Sequence, residues 1–526
     1  MAGKLVGIDL GTTFSAIASL DDHGQPQTIP NRDNQSLTPS AVLLLDDGTT
    51  VVGEAALDVA LEQPDRVATL VKRRMGESTF GRSVAGREFR PETLSAIILR
   101  KLVQDAELRI GPIDKAVITV PAYFDDTRRK ATKDAGRIAG LEVLDILDEP
   151  TAAALAYSFQ PPRPLHGAPP PKPILPDEQR TVLVYDLGGG TFDVTLVKLS
   201  KERFETLAIE GDVRLGGKDW DDRIVDHVAA KFQAQHGADP RTDPQSLAGL
   251  RAAAERAKKT LSKLPQTTVS CTHAGTLLTV PLTRTDFETL TRDLLVRTRF
   301  TTQQVLRQAS LSWEQVDRVL LVGGSTHMPM TGQMLLELTG KPPDSSLAVS
   351  EVVARGAALH AGIVAAHHHA DDQLLDPIAQ ALLEQVVEIN VNAHSLGIEV
   401  KTAANERVND ILIPKNTQLP CAASRVYFTK AENQPRVRVK VLQGDAREAD
   451  ACISIGECWI DELPPHLPRH SPVQVRCGVA SNGLIDVLAL DMTSGKMARS
   501  VIHRSSGLSD EEIAREAEFV RGLRIQ

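Results

Sequence analysis

Two copies of one short motif hold the residues of this chain best suited to chemistry. The first covers residues 7–13 (GIDLGTT) and the second residues 184–193 (VYDLGGGTFD), and each runs from an apolar strand through an aspartate and glycine to a hydroxyl. Glycine lets a backbone approach a phosphate closely and present its N–H groups. An aspartate such as Asp9 or Asp186 binds Mg²⁺ through the waters that this ion retains. Two such loops predict a site that grips one polyphosphate from both sides.

A third turn of this kind follows another buried strand, at residues 319–326 (VLLVGGST). Ligands of open parallel sheets bind where the strands end at their carboxyl side. Three glycine-hydroxyl turns in two repeated halves therefore favour an α/β ATPase with two lobes and a central cleft.

The elements that position these turns are indicated by periodicity and capping residues. Residues 115–120 form a buried strand that a proline stops, and Asp125 or Asp126 then caps a helix that continues through Ile138. Helical spacing returns at residues 247–261 and 287–309. Beyond residue 392 the apolar period becomes two, and residues 436–441 alternate strictly, which predicts a small antiparallel β-sandwich.

A chain of 526 residues is too long for one core, so several domains are expected. We predict a first domain over residues 1–365, interrupted at 160–180 by a proline-rich insertion that can continue neither helix nor central strand. A linker over 366–391 follows, in which the histidine run at 367–369 is interpreted as solvated rather than metal-binding. The sandwich occupies residues 392–507. A capping box at Ser509 opens a last helix over 508–526.

Composition excludes several classes of protein. The chain is 42% hydrophobic and 24% charged, and its net charge of -9 argues against a general phosphate-binding nucleic-acid partner. No apolar run reaches the roughly 18 residues of a membrane span. The first residues lead straight into a strand, so we expect a cytoplasmic protein without a signal peptide. The five cysteines have no C-x-x-C spacing, which favours reduced thiols; a disulfide or redox role is the alternative.

The chain resembles the heat-shock 70 kDa (DnaK-type) chaperone family from its N-terminus to about residue 523. The two loops carry the resemblance together with residues 120–124 (VPAYF), 148–157 (DEPTAAALAY) and 215–217 (LGG), and, in the β domain, residues 395–399 (SLGIE), 413–417 (IPKNT) and 441–444 (VLQG). The resemblance implies an actin-like (duplicated ribonuclease H-like) ATPase domain, a linker and a peptide-binding β-sandwich. The family continues into a helical lid where this sequence has about one helix, so a lid-truncated member with fast peptide release is expected.

The resemblance assigns the ATPase residues. It implies that Lys72, Glu149, Asp186 and Thr191 are catalytic, and that Asp9, Asp186 and Asp193 orient hydrated Mg²⁺, with K⁺ as a further candidate ion. The remaining ATP-binding residues that it implies are Gly11, Thr12, Thr13, Gly188, Gly189, Gly190, Gly216, Gly217, Glu255, Lys258, Lys259, Ser262, Gly323, Gly324, Ser325 and His327. His327 departs from the family, which usually has an arginine stacked on the base, so weaker nucleotide affinity is expected.

The resemblance also assigns residues to interdomain coupling. Pro121 and Arg129 match a switch proline and an interdomain arginine, and Val387, Ile389 and Val391 belong to a linker strand that docks on the ATPase. Burying Glu388 unpaired would cost several kcal/mol. Strand alternation predicts that the three apolar residues dock while Glu388 faces water. Asp145 replaces a positive charge used by J-domain co-chaperones, which puts the choice of co-chaperone in doubt.

A peptide channel is implied at Ile398, Phe428, Val437 and Val439. Each of these residues, taken singly, is more often a core residue than a site residue. The function predicted is an ATP-dependent chaperone of unfolded or extended polypeptides, aided by a J-domain protein and a nucleotide exchange factor. The alternative is a nucleotide-sensing regulatory or client-binding protein with weak or no peptide-stimulated ATPase. Intact ATPase residues favour the enzyme, whereas Glu388, Asp145 and the short C-terminus favour the alternative.

Overall fold

The computed structural model describes residues 4–526 except 160–177, 201, 345–347, 369–373, 403, 462, 481–482, 484 and 502–506. Most of the predicted proline-rich insertion, and part of the histidine run, therefore lie outside the described residues. Within the described residues the chain is mixed α/β, as predicted.

The first large sheet has the strand order β3-β2-β1-β8-β9, with β4 attached to β2. Its strands are β1 (Lys4–Asp9), β2 (Phe14–Leu20), β3 (Pro26–Thr28), β4 (Thr38–Pro39), β8 (Ile113–Val120) and β9 (Glu142–Asp148). β1 pairs antiparallel with β2 and parallel with β8, and β8 pairs parallel with β9. Asp9 therefore ends β1 at the carboxyl edge of this sheet.

The second large sheet repeats this arrangement, with the order β15-β10-β11-β12-β16. Its strands are β10 (Arg180–Leu187), β11 (Phe192–Leu199), β12 (Arg203–Asp212), β15 (Arg318–Val322) and β16 (Val387–Ile389). β10 pairs antiparallel with β11 and parallel with β15, as β1 does with β2 and β8. Asp186 near the end of β10 thus occupies the place that Asp9 has in the first sheet.

Helices cover and separate the two sheets. They are α1 (Glu54–Ala60), α2 (Pro91–Ile110), α3 (Asp126–Ile138), α4 (Glu149–Phe159), α5 (Gly217–His236), α6 (Pro244–Leu261), α7 (Arg284–Leu290), α8 (Arg292–Gln308), α9 (Pro329–Thr339), α10 (Val352–His368) and α11 (Pro377–Leu383). The predicted cap of α3 is confirmed at Asp125, whose side chain accepts a hydrogen bond from the backbone N–H of Arg128. The predicted helices at 247–261 and 287–309 correspond to α6 and to the pair α7 and α8.

α4 and α10 fill the space between the two sheets with small side chains. Ala152 and Ala153 of α4 share one buried cluster with Ala357 and Ala361 of α10. A Cβ on Gly356 would lie 1.8 Å from the carbonyl oxygen of Ala152. Because backbones this close leave no room for a side chain, glycine and alanine at these positions bring the two halves together.

Smaller elements extend the first domain. A sheet with the order β25-β6-β5-β7 contains β5 (Ala41–Leu44), β6 (Thr49–Val52), β7 (Val67–Thr69) and β25 (Arg524–Ile525). A hairpin of β13 (Gln266–His273) and β14 (Thr276–Thr283) stands on the second half.

Two four-stranded antiparallel sheets follow the linker. The first has the order β18-β17-β20-β21 and the second β19-β22-β23-β24. The strands are β17 (Leu396–Lys401), β18 (Arg407–Ile413), β19 (Cys421–Phe428), β20 (Val437–Gln443), β21 (Ile453–Ile460), β22 (Pro472–Val479), β23 (Ile485–Asp491) and β24 (Met497–Val501). Residues from both sheets, including Val441 and Cys477, share one buried core.

The last helix, α12 (Asp510–Gly522), begins with the predicted capping box, which is confirmed between Ser509 and Glu512. Its apolar face packs on the half of the chain that contains the first large sheet, where Ile513 and Val520 are buried. Thr93 of α2 donates a hydrogen bond of 2.8 Å to Glu516, and β25 then pairs parallel with β6. This segment is therefore a packed part of the first lobe.

The contact between α4 and α10 gives a test of the fold. Gly356→Ala places a Cβ against the Ala152 carbonyl oxygen and should destabilise the protein by about 2–5 kcal/mol, at the upper end for overpacking and strain. Gly249→Ala in α6 is the matched control, because its Cβ meets no atom within 4 Å and alanine is the better helix former by about 1 kcal/mol. Chemical denaturation of both variants measures the difference. Equal stabilities would contradict the close packing of the two helices.

Candidate nucleotide site and linker

The two predicted phosphate loops meet face to face. A Cβ on Gly189 would lie 2.0 Å from Thr13 Oγ1, and one on Gly190 would lie 2.5 Å from Thr12 Cγ2. In the first loop, a Cβ on Gly11 would lie 2.0 Å from a backbone carbonyl oxygen. Only glycine lets these backbones approach so closely. The fold thus brings the motifs together although 170 or so residues separate them in the sequence.

The third turn and the residue 216–217 turn support the second loop. The N–H of Gly217 donates to the Gly188 carbonyl at 3.0 Å, and Ser325 Oγ donates to the same oxygen at 2.9 Å. Gly323 has φ of +82°, and its Cβ would lie 2.6 Å from Asp186 Oδ1. The glycine turns that the sequence predicts as one site therefore lie in one place.

Three carboxylates lie behind the loops. Asp9 accepts a hydrogen bond of 3.0 Å from Thr119 Oγ1, and Asp193 accepts one of 3.0 Å from the N–H of Tyr123. Asp186 stands directly opposite Asp193 in the β10–β11 register. Burial, and then the nearby charge of Glu149, raise the pKa of all three carboxyls, and that of Asp9 to about 7. This concentration of negative charge favours a bound cation.

The donor set fits Mg²⁺ held through water. Among the described residues no three His, Cys, Asp or Glu side chains converge as direct metal ligands. Mg²⁺ keeps several of its waters and needs few direct protein ligands. The carboxylate oxygens of Asp9, Asp186 and Asp193, whose pKa values are raised by burial and then by the charge of Glu149, match that preference.

A buried ion pair joins Lys72 to Glu149 at the same place. Lys72 lies in a 3-10 turn, Val71–Arg74, and Glu149 is the first residue of α4. Both side chains are buried, so neither is the exposed surface charge that Lys72 alone would suggest. The turn positions a cation beside the carboxylate cluster.

Arg73, next to Lys72, was not identified from the sequence. Its Nε donates to the carbonyl of Gly190 at 2.9 Å, and its guanidinium forms an ion pair with Asp219 of α5. Arg73 thereby ties the first lobe to the second across the cleft. The signal for it in the sequence is its position directly after Lys72.

The residues predicted around the adenosine lie mainly on α6 and have partners in the protein. Lys258 donates to the Gly217 carbonyl at 2.9 Å and pairs with Asp221 at 2.8 Å, so it supports the phosphate loops. Glu255 pairs with Lys259 at 2.8 Å. Ser262 Oγ donates to the Lys258 carbonyl at 3.1 Å. His327 is exposed at the end of the 3-10 turn Gly324–His327.

Comparison with known proteins decides the family. The family model described as Hsp70 protein matches residues 5–520. The chain is 40% identical over 517 residues to the chaperone protein DnaK of Halobacterium salinarum, in each of two strains, which covers 97% of this chain and 76% of the relative. The chain belongs to the Hsp70 family.

An Hsp70 is an ATP-dependent molecular chaperone with an actin-like ATPase domain and a β-sandwich, and ATP is bound with Mg²⁺ in this family. Membership favours the enzyme over the nucleotide-sensing regulator considered above. The family binds unfolded polypeptides and works with J-domain and nucleotide exchange co-chaperones in general. None of the helices in the described part of the chain is long and apolar enough to cross a membrane.

In the segment predicted as the linker of this Hsp70, β16 forms the edge strand of the second large sheet and pairs parallel with β12. The expectation that Glu388 faces water is wrong, because its side chain is only 9% exposed and bonds to His360 of α10. Strand alternation then turns Val387 outward, where it is 48% exposed, so its predicted docking is also wrong. Ile389 is partly buried. Val391 is buried in a small cluster with Ala122 and Ile209.

Arg129 connects the carboxyl ends of β8 and β9. Its guanidinium pairs with Asp148 and donates to the carbonyls of Ala122 and Phe124 at 3.1 Å each. Pro121 begins the same loop and is buried. Asp148, the partner of Arg129, directly precedes Glu149 of the candidate nucleotide site. The loop that contacts Val391 is therefore connected to that site through Arg129 and Asp148.

The sandwich contacts the ATPase domain through this loop and through β12. The ring of His394 lies 4.4 Å from that of Tyr123, and Lys415 forms an ion pair with Glu210. The N–H of Ile209 donates to Asn416 Oδ1 at 3.0 Å. Polar contacts of this kind separate more readily than an apolar core does.

The predicted peptide residues divide into two groups. Ile398 and Val439 are 3% and 2% exposed in the sandwich core, and Val437 packs at its margin. Phe428 is 60% exposed on β19. Of the four residues predicted to line the channel, Phe428 alone offers a large exposed apolar surface to a peptide, so this arrangement does not open Ile398 and Val439 to one.

The raised pKa of Asp9 predicts the pH dependence of stability without metal. The folded carboxyl keeps its proton up to about pH 7, whereas the unfolded one loses it near 3.8, so the folded state binds more protons between these values. In EDTA the free energy of unfolding should therefore fall by about 1 kcal/mol between pH 6 and 8. Asp9→Asn should remove that fall, while Asp33→Asn on an exposed loop should not. Parallel curves for Asp9→Asn and wild type would contradict the shift.

Proposed function

We propose that this Hsp70 hydrolyses ATP between its two facing loops and couples that reaction to peptide binding through β16. The observation that carries the proposal is the contact of Gly189 and Gly190 with Thr13 and Thr12, beside three carboxylates and the Lys72–Glu149 pair. Backbone N–H groups of such loops bind the β- and γ-phosphates. Transfer to water then depends on charge neutralisation and a held water rather than on covalent chemistry.

Lys72 and Glu149 have complementary roles in this proposal. The Lys72 ammonium neutralises charge on the γ-phosphate and orients the attacking water, and Glu149 accepts a hydrogen bond from that water. Bound Mg²⁺, oriented by Asp9, Asp186 and Asp193, would neutralise charge on the β- and γ-phosphate oxygens. Thr191 donates its hydroxyl to the phosphates. Burial strengthens each of these interactions because little water screens them.

The adenosine binds, in this proposal, where α6 faces the turn after β15. Gly323, Gly324 and Ser325 form the floor, and α6 supplies the side chains assigned from the sequence: Glu255, Lys258, Lys259 and Ser262. His327 stacks on the base with an imidazole ring in place of a guanidinium. The exposed position of His327 supports contact with a ligand. Because a histidine stands in place of an arginine, we expect weaker nucleotide binding.

Coupling runs, in this proposal, along β12 and along the Arg129 loop. β16 pairs with β12, β12 pairs with β11, and β11 holds Asp193. On the other side Val391 contacts the loop of Pro121 and Arg129, whose partner Asp148 adjoins Glu149. A change at the γ-phosphate therefore reaches the linker through bonded or paired groups on both sides.

The remaining proposals concern setting and partners. K⁺ is a candidate second ion at the carboxylate cluster. A J-domain protein that fits here must accept Asp145 instead of a positive charge. A cytoplasmic location is supported by five free thiols, which are typical of reducing compartments.

The role of Lys72 can be tested directly. Lys72→Ala should lower single-turnover hydrolysis by about a hundred- to a thousandfold, the usual loss when one charge-stabilising group is removed, while ATP still binds. Lys263→Ala, which removes an exposed lysine at the end of α6, is the control and should keep the wild-type rate. Near-normal hydrolysis by Lys72→Ala would remove this lysine from the mechanism.

Coupling is tested by the steady-state ATPase rate with and without a short apolar peptide. We expect stimulation of about fivefold or more, the lower end of common coupling energies. Phe428→Ala should weaken the stimulation, and Met497→Ala, another exposed apolar residue of the sandwich, should not. If peptide leaves the ATPase rate unchanged in protein that still binds ATP, the proposed coupling is wrong and peptide binding is independent of hydrolysis.

A further inference from the structure

His360 lies between two carboxylates that come from different elements. Its Nδ1 is 2.6 Å from Glu388 Oε2 on β16, and its Nε2 is 3.0 Å from Asp145 Oδ2 on β9. The exposed fractions of the three side chains are 8%, 9% and 25% for His360, Glu388 and Asp145. Glu388 and Asp145, the two residues that the sequence marked as unfavourable for coupling, are therefore partners of one imidazole.

The geometry fixes the protonation of this ring. An ionised carboxylate only accepts hydrogen bonds, and a neutral imidazole has a single N–H. Both ring nitrogens face carboxylate oxygens, so both bonds form only when the ring is a cation. Burial alone would lower the pKa of His360, but the two carboxylates outweigh it and raise that pKa to about 10.

The positively charged ring of His360 compensates the buried charge of Glu388, which would otherwise oppose the docking of β16. β16 reaches β12 only with the Glu388 side chain turned inward, where it would otherwise be an unpaired buried charge. Its second oxygen, Oε1, has no hydrogen-bond partner among the described residues, so His360 is its main compensation there. At the end of β9, the Arg129 guanidinium forms its ion pair with Asp148.

We propose that His360 is the positioning residue of the linker: its imidazolium, bonded to Asp145 and Glu388, holds β16 on the ATPase domain, and loss of its proton releases the strand. The consequence for peptide stimulation rests on the coupling proposed above, whereas the docking itself does not. We call the ion pairs of His360 with Asp145 and Glu388 the anchor. The anchor makes docking of β16 sensitive to pH, whereas docking through apolar contacts alone would not be.

The sign of the pH effect follows from the raised pKa. The docked state binds the proton more tightly than the undocked state, because undocking leaves Asp145 beside the ring but removes Glu388, the largest of the causes that raise the pKa of His360. The stabilisation is therefore complete below the pKa of the undocked ring and is lost as pH rises through the pKa of the docked ring, about 10. Between these two values the docking constant should fall by up to about tenfold per pH unit. The charged groups that face the ring are Asp145 from β9 and Glu388 from β16.

Amide hydrogen exchange of the full chain with ATP and Mg²⁺ tests the anchor. The observable is the protection factor of residues 387–389, with residues 182–184 of the central strand β10 as an internal reference. In wild type we expect protection at 387–389 to fall between pH 7 and pH 9, by about a hundredfold at most, while the reference stays constant. A flat profile at 387–389 would overturn the proposal.

Variants separate the anchor from general damage. His360→Gln should lower protection at 387–389 about a hundredfold at pH 7, because it leaves Glu388 buried without a cation. His367→Gln, an exposed histidine on the same helix, should match wild type. The double variant His360→Gln with Glu388→Gln has no charge to compensate, so it should regain protection and show no pH dependence. Wild-type protection in His360→Gln alone would overturn the assignment.

Peptide-stimulated ATPase, measured on the same samples, distinguishes the two proposals. If stimulation follows the protection of 387–389 across pH and variants, the anchor and the coupling both hold. If protection responds as expected but peptide never changes the rate, the anchor holds and the coupling fails.

Discussion

The structure depends on a cluster of buried carboxylates whose negative charge exceeds the positive charge placed beside it. Asp9, Asp186, Asp193 and Glu149 lie around Lys72 in a place that excludes most water. Ionised carboxylates in such surroundings repel one another, so they either keep protons or bind a cation. A site of this kind is poorly stable by itself and well suited to a ligand that brings Mg²⁺ with its phosphates. The same excess of buried negative charge therefore favours both the binding of a nucleotide with Mg²⁺ and the reaction proposed for it.

The enclosure exists because the two halves approach closely. Gly356 meets Ala152 where α10 crosses α4, and larger side chains there would separate the sheets. With the sheets close, the turns after β1 and β10 face each other, and their glycines contact threonines of the opposite loop. Arg73 adds a polar tie across the same gap. Small residues far from the two loops thus determine the geometry of the loops.

The same balance of charge recurs at the linker. Glu388 resembles the carboxylates of the cleft in being enclosed, and His360 compensates it as Lys72 compensates Glu149. The two places are connected through β9, which holds Asp145 near its middle and Asp148 at its end. Charge compensation, rather than apolar contact alone, therefore joins the nucleotide site to the strand that leads to the sandwich.

Local patterns determined much of this structure in advance. The glycine-aspartate loops, the strand before Pro121, the cap of α3, the strand at β20 and the capping box at Ser509 each follow from residues close together in the sequence. Their structures depend on backbone conformations and hydrogen bonds within a few residues. Such features can therefore be predicted from the sequence alone.

The tertiary structure alone decided what depends on distant partners. The sequence predicted an outward Glu388 because alternation gives two possible faces, and only the position of His360, 28 residues earlier, selects the inward one. Arg73 has no recognisable pattern until α5 brings Asp219 to it. Ile398 and Val439 look the same as core or as channel residues until both sheets of the sandwich are in place. Buried charges and apolar faces are assigned by what folds against them, and the local sequence does not contain that information.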